Sequence, residues 1–454
     1  MENFIRDNCR LPVKSVLLPM IVPCGKKLRF FWRSLWGYLP LGSLEEPSLR
    51  FLKHDGGLPG GKTAHWEEHV PLACTVCPDG GITFEVELPD EGQYDFEFFC
   101  GRVQAASAQV FAAEEDLFSL TPFKGDFHAH SENSDGMQTR AFAALRSRRQ
   151  GLDFTTITDH RCYCSQEEAE RTAKETGTGI LVLPGEEIHL PCAPGGGFEG
   201  EIPWFKTRWV KGRTPVHLVN AGGTESVNDL ADNDLPNFNK DVSERCARLP
   251  RALSAADRWS IASSEWAFEK IRAFDGLAIF PHPFWNQPAR LAVSDRVRDI
   301  LFADGGFDAV ETVNGCFGEE CVLNSNMFRT CGAAPVSGSD RHDFGKDDPL
   351  PFTVVFAERL TRGAILDAVR KKMCCSAVPV QDRKPPILTG DMRLVRYVLF
   401  LLKNFFPRHD GSCLRECLLH PASGWEHDED LQKKAVAETR KWYAAAFSSG
   451  HDLS

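Results

Sequence analysis

Apolar and polar residues alternate at period two from Ile82 to Leu88 and again from Tyr94 to Phe98, with the turn cluster Pro89-Asp90-Glu91-Gly92 between them. Successive side chains of a strand point to opposite faces, so each run predicts a half-buried strand and the two together predict a hairpin. Leu28 to Leu35, with Phe30, Phe31 and Trp32, predicts a further strand. Residues 1–120 therefore read as a β-rich, sandwich-like domain. Its aromatic residues are expected in a packed core, the alternative being a ligand platform.

From residue 121 the pattern changes to short continuous apolar runs that end in polar, metal-competent residues. Phe154 to His160 ends in Asp-His, Ile180 to Ile188 delivers Glu186 and Glu187, and Val216 to Asn220 contains His217. Leu277 to Pro283 ends in His282-Pro283, and Val336 to His342 carries Asp340 and His342. Strands that end this way are what an α/β fold shows at its functional edge. Ahead of them all stands Lys124 to Gly136, with His128 and His130 two apart and Asp135 five residues further on. In extended backbone the two histidines share a face and can approach one ion together.

This ordered set resembles the PHP (polymerase and histidinol phosphatase) family of metal-dependent phosphoesterases, from about Phe123 to Lys371. The segments that carry the resemblance are His128 to Gly136, Thr158 to His160, Gly185 to Ile188, His282-Pro283 and Gly338 to His342. It implies a distorted βα barrel over residues 121–385, with ligands at the C-terminal ends of its strands and a cluster of two or three divalent ions. His128, His130, Glu187 and Asp340 would hold one ion, and Asp135, His160 and His342 a second. Glu187 would bridge to a third completed by His217 and His282. Mixed imidazole and carboxylate ligands suit zinc, manganese or iron without choosing among them. Glu187 aligns with the family's glutamate because it precedes Ile188, which leaves Glu186 as an outer or surface residue.

The activity implied is hydrolysis of a small phosphorylated molecule by metal-bound hydroxide. A divalent ion neutralises the phosphoryl oxygens and lowers the pKa of its water toward ~7. Arg161 and Arg341, beside presumed ligands, are candidates to bind the phosphate. His189 shares a face with Glu187 and is expected as an outer ligand, a proton donor or a solvent-facing residue. Asp159 and Asp126 are expected to orient imidazoles. The alternatives are hydrolysis of a carboxylic ester, amide or carbamate at the same centre, or a non-catalytic protein that retains metal to bind a ligand.

A net charge of −11 argues against general nucleic-acid binding. The 16 scattered cysteines read as free thiols of a cytoplasmic protein. Lys14 and Pro19 interrupt Val13 to Val22 as a signal peptide, and no run approaches the ~18 apolar residues of a membrane span. Between His217 and His282, residues 222–240 are rich in Asn, Asp and Gly and are expected as loop. Ala255 to Phe274 is expected as a helix, and this insertion as a lid. Helix is expected again over Arg362 to Lys372 and a strand over Cys375 to Val380. Residues 386–454 are expected as a helical extension, with Tyr397 to Leu402 forming a buried face. Asp428-Glu429-Asp430 would open its last helix, Arg440-Lys441 lie near that helix's end, and Leu431, Val436 and Phe447 face the body.

Overall fold

The computed structural model describes residues 15–35, 39–53, 70–196, 209–285, 292–315, 319–346, 348–378, 387–420 and 428–447. The chain forms two compact units. One comprises Met1–Thr121, Arg396–His409 and Ala437–Ser454, the other Pro122–Val395 and Asp410–Val436. The residues expected as a single helical extension are thus shared between the units.

In the first unit, strands β1 (Ser15–Leu18), β2 (Ile21–Pro23), β3 (Lys27–Ser34), β4 (Pro47–Lys53), β5 (Val70–Leu72), β6 (Thr75–Val76), β7 (Ile82–Glu87), β8 (Gly92–Cys100) and β9 (Val103–Ala113) make two sheets. Their orders are β1-β3-β7-β6 and β2-β9-β8-β4-β5. The two alternating runs are therefore strands, but they are not a hairpin: β7 pairs with β3, and β8 pairs with β4 and β9. Alternation dictates which face of a strand is apolar and leaves its neighbour open. Here the apolar faces meet through the core, where Phe30 stacks on Phe84 at 5.3 Å and Phe96 lies 5.3 Å from Phe84. Phe30, Trp32, Phe96 and Phe98 are fully buried, which fits a packed core and not a ligand platform.

The second unit carries β10 (Thr121–Ala129), β11 (Phe154–Ile157), β12 (Leu181–Leu183), β13 (Gly185–Pro191), β14 (Arg213–Ala221), β15 (Leu277–Phe280), β16 (Ala309–Val313), β17 (Ala334–Ser337), β18 (Phe352–Ala357), β19 (Cys374–Val378) and β20 (Ile387–Gly390). They form the sheets β12-β11-β10-β18-β19-β20 and β13-β14-β15-β16-β17. Pro184 alone separates β12 from β13, so the chain steps from one sheet to the other within a residue. Gly185 permits this close passage: a Cβ there would lie 2.7 Å from the Thr156 side chain and 2.9 Å from the Asn220 carbonyl oxygen.

Helices α1 (Arg140–Arg149), α2 (Gln166–Thr176), α3 (Val227–Asn233), α4 (Leu235–Cys246), α5 (Ala255–Ala273), α6 (Asp295–Asp304), α7 (Glu319–Phe328) and α8 (Arg362–Arg370) follow in chain order. Ser165 and Glu168 form a capping box at the start of α2, and Gly177 ends it in the left-handed conformation. The segment expected as loop over 222–240 holds α3 and the first half of α4. Two of its polar residues are helix caps: Ser226 accepts from the Asp229 N–H and Asp234 from the Asn237 N–H. Composition hid the helices because capping residues are also turn residues. The helix expected over 255–274 is α5, whose Trp259, Ile261, Trp266, Phe268 and Ile271 pack with Ile188, Leu190, Val216, Leu218 and Phe280. The end of the strand expected to reach Val380 lies outside the described residues, as does the boundary at 385.

Helices α9 (Met392–Asn404), α10 (Phe406–Leu418) and α11 (Glu429–Ala446) complete the chain. Tyr397, Val398, Phe400 and Leu401 are fully buried, whereas Leu431 is 48% exposed. Gln432, Ala435, Thr439 and Tyr443 form the inward stripe of α11 instead. Phe447 is buried, Val436 half-buried, and α11 runs on past Arg440-Lys441. No described helix is long and apolar enough to cross a membrane, and the fourteen described cysteines are free thiols.

Within the second unit a buried ion network joins α1 to α10. Arg148 Nε and Nη2 donate to Glu416 Oε2 and Oε1 at 2.9 and 2.8 Å, and Nη1 donates to Asp153 Oδ1 at 2.8 Å. Both Arg148 and Glu416 are almost wholly buried. Breaking a buried pair from one side leaves a charge without its partner. Glu416→Ala should destabilise this unit by about 3–5 kcal/mol, read as a shift in urea midpoint; a change below ~1 kcal/mol would mean that the network behaves like a surface pair.

Candidate metal centre

Nine candidate ligands come together in the second unit. His128 lies within β10 and His130 just beyond it, while His160 follows β11, His282 follows β15, and Asp340 and His342 follow β17. Glu187 and His217 depart from the expected placement at C-terminal strand ends: Glu187 is the third residue of β13 and His217 lies mid-strand in β14. The reason is the antiparallel pairing of β13 with β14, which sets His189 opposite His217 and turns this face of the pair to the site.

The Glu187 carboxylate is the hub. Its Oε2 lies 2.6 Å from His160 Nδ1 and 3.5 Å from both His128 Nε2 and His130 Nε2. Its Oε1 lies 2.9 Å from His217 Nδ1 and 3.3 Å from His282 Nε2. Asp340 Oδ1 is 3.0 Å from His130 Nε2, and Asp135 reaches His342 Nε2 at 3.3 Å and His160 Nε2 at 3.4 Å. Donor atoms gather in the groups His130-Asp135-His160-His342, His128-His130-Glu187 and His128-His282-Asp340. The first adds His130 to the set expected for the second ion.

Three features fit a divalent ion at this place. His128 Nε2 and His130 Nε2 face each other at 3.1 Å, where a neutral pair can use only one proton. His130 Nδ1, Glu187 Oε2 and His217 Nδ1 are buried without a hydrogen-bond partner of proper geometry, although buried polar groups are nearly always satisfied. The donors are imidazole and carboxylate, which suit borderline and hard divalent ions. Electrostatics agree. Burial alone would raise the Glu187 carboxyl, yet the imidazoles of His160, His128 and His217 hold it well below the usual range. Asp135 is likewise depressed despite burial, through His160 and His342.

Backbone strain collects at the centre. Arg161, His282 and Asp340 have φ of +50°, +27° and +47°, conformations that cost of order 1–3 kcal/mol each and persist where the surroundings enforce them. Carboxylates one layer out tie down backbone around the site. Asp159 accepts from the Ser131 N–H and Oγ at 2.7 Å each, from Ser134 Oγ at 2.9 Å and from Arg140 Nε at 3.1 Å. It therefore shapes the loop after His130 and orients no imidazole. Asp126 Oδ1 accepts from the His128 and Ser339 N–H groups, so it also acts on backbone; burial pushes this carboxyl up to about 7 against those bonds.

Glu186 is fully buried and not at the surface. It accepts from the Val227 N–H, Ser226 Oγ and Asn228 Nδ2, tying β13 to the start of α3. His189 is also fully buried and does not face solvent: its Nε2 lies 2.8 Å from His160 Nδ1, and it groups with His160 and Glu187. Arg161 Nη2 donates to Asp232 Oδ2 at 2.7 Å. Arg341 turns its guanidinium to Asp348, with Nη2 3.1 Å from the Asp348 carbonyl oxygen.

Sequence reasoning missed five residues here. Arg213 donates to Asp232 Oδ1 at 2.6 Å, so one carboxylate holds Arg161 and Arg213 together. Arg213 lies four residues before His217 on one strand, an even spacing that could have flagged it. Trp285 lies 5.4 Å from His217, and Trp209 lies 6.4 Å from His160. Glu311 Oε1 meets His128 Nδ1 at 2.8 Å, and nothing in Ala309–Val313 singles that glutamate out.

No protein-family model matches the sequence, and no curated protein matches it. Solved structures similar to this chain include PHP-like metal-dependent phosphoesterases. One is a two-domain protein from Bacteroides vulgatus containing a predicted PHP-like metal-dependent phosphoesterase, 20% identical over 57% of this chain and 66% of its own, with a TM-score of 0.35. A proposed metal-dependent phosphoesterase from Bifidobacterium adolescentis is 18% identical over 50% of this chain and 90% of its own, with a TM-score of 0.33. An amidohydrolase from Chromobacterium violaceum is 19% identical over 49% and 89%, with a TM-score of 0.31. The chain spans just under two thirds of the first.

The two adjacent glutamates should separate cleanly. Glu187→Gln removes the charge at the hub and should strip divalent ions from protein dialysed against Zn2+ or Mn2+, as read by atomic emission. Glu186→Gln should leave ion content intact and lower stability by about 1–3 kcal/mol through imperfectly satisfied buried partners. Equal ion loss in both would contradict the division of roles.

Proposed function

We propose that this chain is a metal-dependent hydrolase of phosphate esters, acting on a small phosphorylated molecule at a cluster of two or three divalent ions. The observation that carries the reading is the ring of five imidazoles (His128, His130, His160, His217 and His282) around the buried Glu187 carboxylate. His128, His130, Asp135, His160, Glu187, His217, His282, Asp340 and His342 would hold the ions. Phosphate esters resist attack because their negative oxygens repel a nucleophile, and divalent ions supply the Lewis acidity that neutralises those oxygens and activates water.

The chain's own side chains would do the remaining work. Arg161 and Arg213 share Asp232, so two guanidiniums face one carboxylate and one positive charge is left over beside the imidazoles. We assign binding of the phosphoryl group to Arg161, whose Nε is buried without a hydrogen-bond partner. A guanidinium suits this task because its planar donors match phosphoryl oxygens and its charge persists at every working pH. Trp209 and Trp285, both half-buried beside the histidines, would exclude water from the bound ester. His189, lodged beside His160 and His217, would hold those rings in place.

A panel of p-nitrophenyl phosphate, a bis-aryl phosphodiester and p-nitrophenyl acetate, each with Zn2+, Mn2+ or Fe2+ added to stripped protein, tests the reading. Ion-dependent release from a phosphate ester is expected; release from the acetate alone would favour the carboxylic ester alternative, and release from none would favour the ligand-binding one. His130→Ala should lose ions and turnover together, and full activity in metal-stripped His130→Ala would defeat the proposal. Arg161→Ala should keep its ions and lose about 2–4 kcal/mol of transition-state stabilisation in kcat/KM. A change within ~0.5 kcal/mol would remove Arg161 from the site.

A further inference from the structure

We infer that Glu311 is a positioning residue for this centre, one that holds the His128 ring with its proton on Nδ1 and so turns the Nε2 lone pair toward the ions. The inference rests on the proposed metal-dependent reading. Glu311 is fully buried on β16, and both of its oxygens are engaged. Oε2 accepts from the His282 N–H at 3.0 Å and from Asn314 Nδ2 at 2.9 Å. Oε1 is left to accept from His128 Nδ1 at 2.8 Å. The other ring nitrogen of His128 is the one that faces His130, Glu187 and Asp340. A carboxylate that takes the far proton of a ligating imidazole selects its tautomer and raises its basicity.

One side chain thereby serves two ligand-bearing strands. The His282 N–H bond fastens the strained turn at φ +27°, and the His128 bond fixes a ring whose backbone is already tied at its N–H by Asp126 and at its carbonyl by Ser339 Oγ and the Asp340 N–H. Gly338 makes room for this arrangement. A Cβ at Gly338 would fall 2.1 Å from Glu311 Oε1 and 2.7 Å from the His128 Cβ, so a larger residue would drive the carboxylate off the ring.

Glutamine has the same shape but cannot reproduce the pattern. With its oxygen toward His128, its NH2 group faces the His282 N–H and the Asn314 amide, donor against donor. With its NH2 toward His128, the ring must accept at Nδ1 and carry its proton on Nε2, pointed at the ions. Glu311 bonds His128, the His282 N–H and Asn314 and is not among the nine candidate ligands, so its effect should appear in ion affinity and ring protonation before it appears in turnover.

Metal-stripped wild type, Glu311→Gln and Gly338→Ala are titrated with Zn2+ against a chromophoric chelator, and imidazole nitrogens are followed by 15N NMR in the Zn2+-loaded proteins. The wild type should show His128 protonated at Nδ1, identified by its absence in His128→Asn. Both Glu311→Gln and Gly338→Ala should lose that signal and bind the affected ion about 10- to 100-fold more weakly, while both still fold without metal, at melting temperatures lowered as expected for an imperfectly satisfied buried group or a crowded one. Wild-type Zn2+ affinity in Glu311→Gln, or a His128 proton on Nε2 in the wild type, overturns the inference and leaves the proposed function standing. Failure of the wild type to bind Zn2+, Mn2+ or Fe2+ overturns both. Failure of Glu311→Gln and Gly338→Ala alike to fold would make Glu311 a structural residue and would also overturn the assignment.

Discussion

A carboxylate with 1% of its surface exposed and five imidazoles within 3.5 Å is an arrangement with a definite electrostatic demand. Burying the Glu187 charge among apolar strands would cost several kcal/mol unless positive charge returns it. Ring protons or divalent ions can supply that charge, and five rings with their nitrogens aimed inward suit ions better than hydrogen bonds, because too few of the contacts have the angles of hydrogen bonds. The remaining architecture of the second unit can be understood as the means of holding those rings against their mutual crowding.

That restraint comes from a layer of carboxylates and small residues behind the candidate ligands. Asp126 ties β10 to the turn after β17, Asp159 gathers the loop that follows His130, Glu186 ties β13 to α3, and Glu311 spans His128 and His282. Each accepts several N–H or O–H groups, which makes a buried charge tolerable and fixes local backbone at once. Gly185 and Gly338 sit where strand and neighbour approach too closely for a Cβ. Of the strained residues, His282 is held by Glu311 and Asp340 follows the Ser339 N–H held by Asp126, the expected place for strain that packing and hydrogen bonding sustain.

The first unit follows a different rule. Its stability comes from apolar faces meeting through a core of stacked and tilted aromatic rings, among them Phe30, Phe84 and Phe96. Polar alternation on the outer faces carries exposed pairs such as Arg29 with Glu85, which contribute little. Among the described residues the cluster between its two sheets is apolar, and the sequence already reflects this in its alternating apolar runs.

Much of this protein was legible in the chain itself. The candidate ligands, and the placement of most of them at the ends of apolar runs, could be read because chemistry demands particular side chains and strands demand particular periods; Glu187 and His217 lie within strands instead. Helix α5 and the buried face of α9 could be read because their apolar patterns are long. What tertiary structure alone decided is partnership. Period-two alternation in β7 and β8 could not say that they join different sheets, and cap residues in α3 and α4 looked like loop. Asp232 and Arg213 are far from Arg161 in sequence, and Glu311 lies 183 positions from His128; no local signal links them. A residue's own character is written locally, but a hydrogen bond or an ion pair is a property of two positions, and only the folded chain brings those two together.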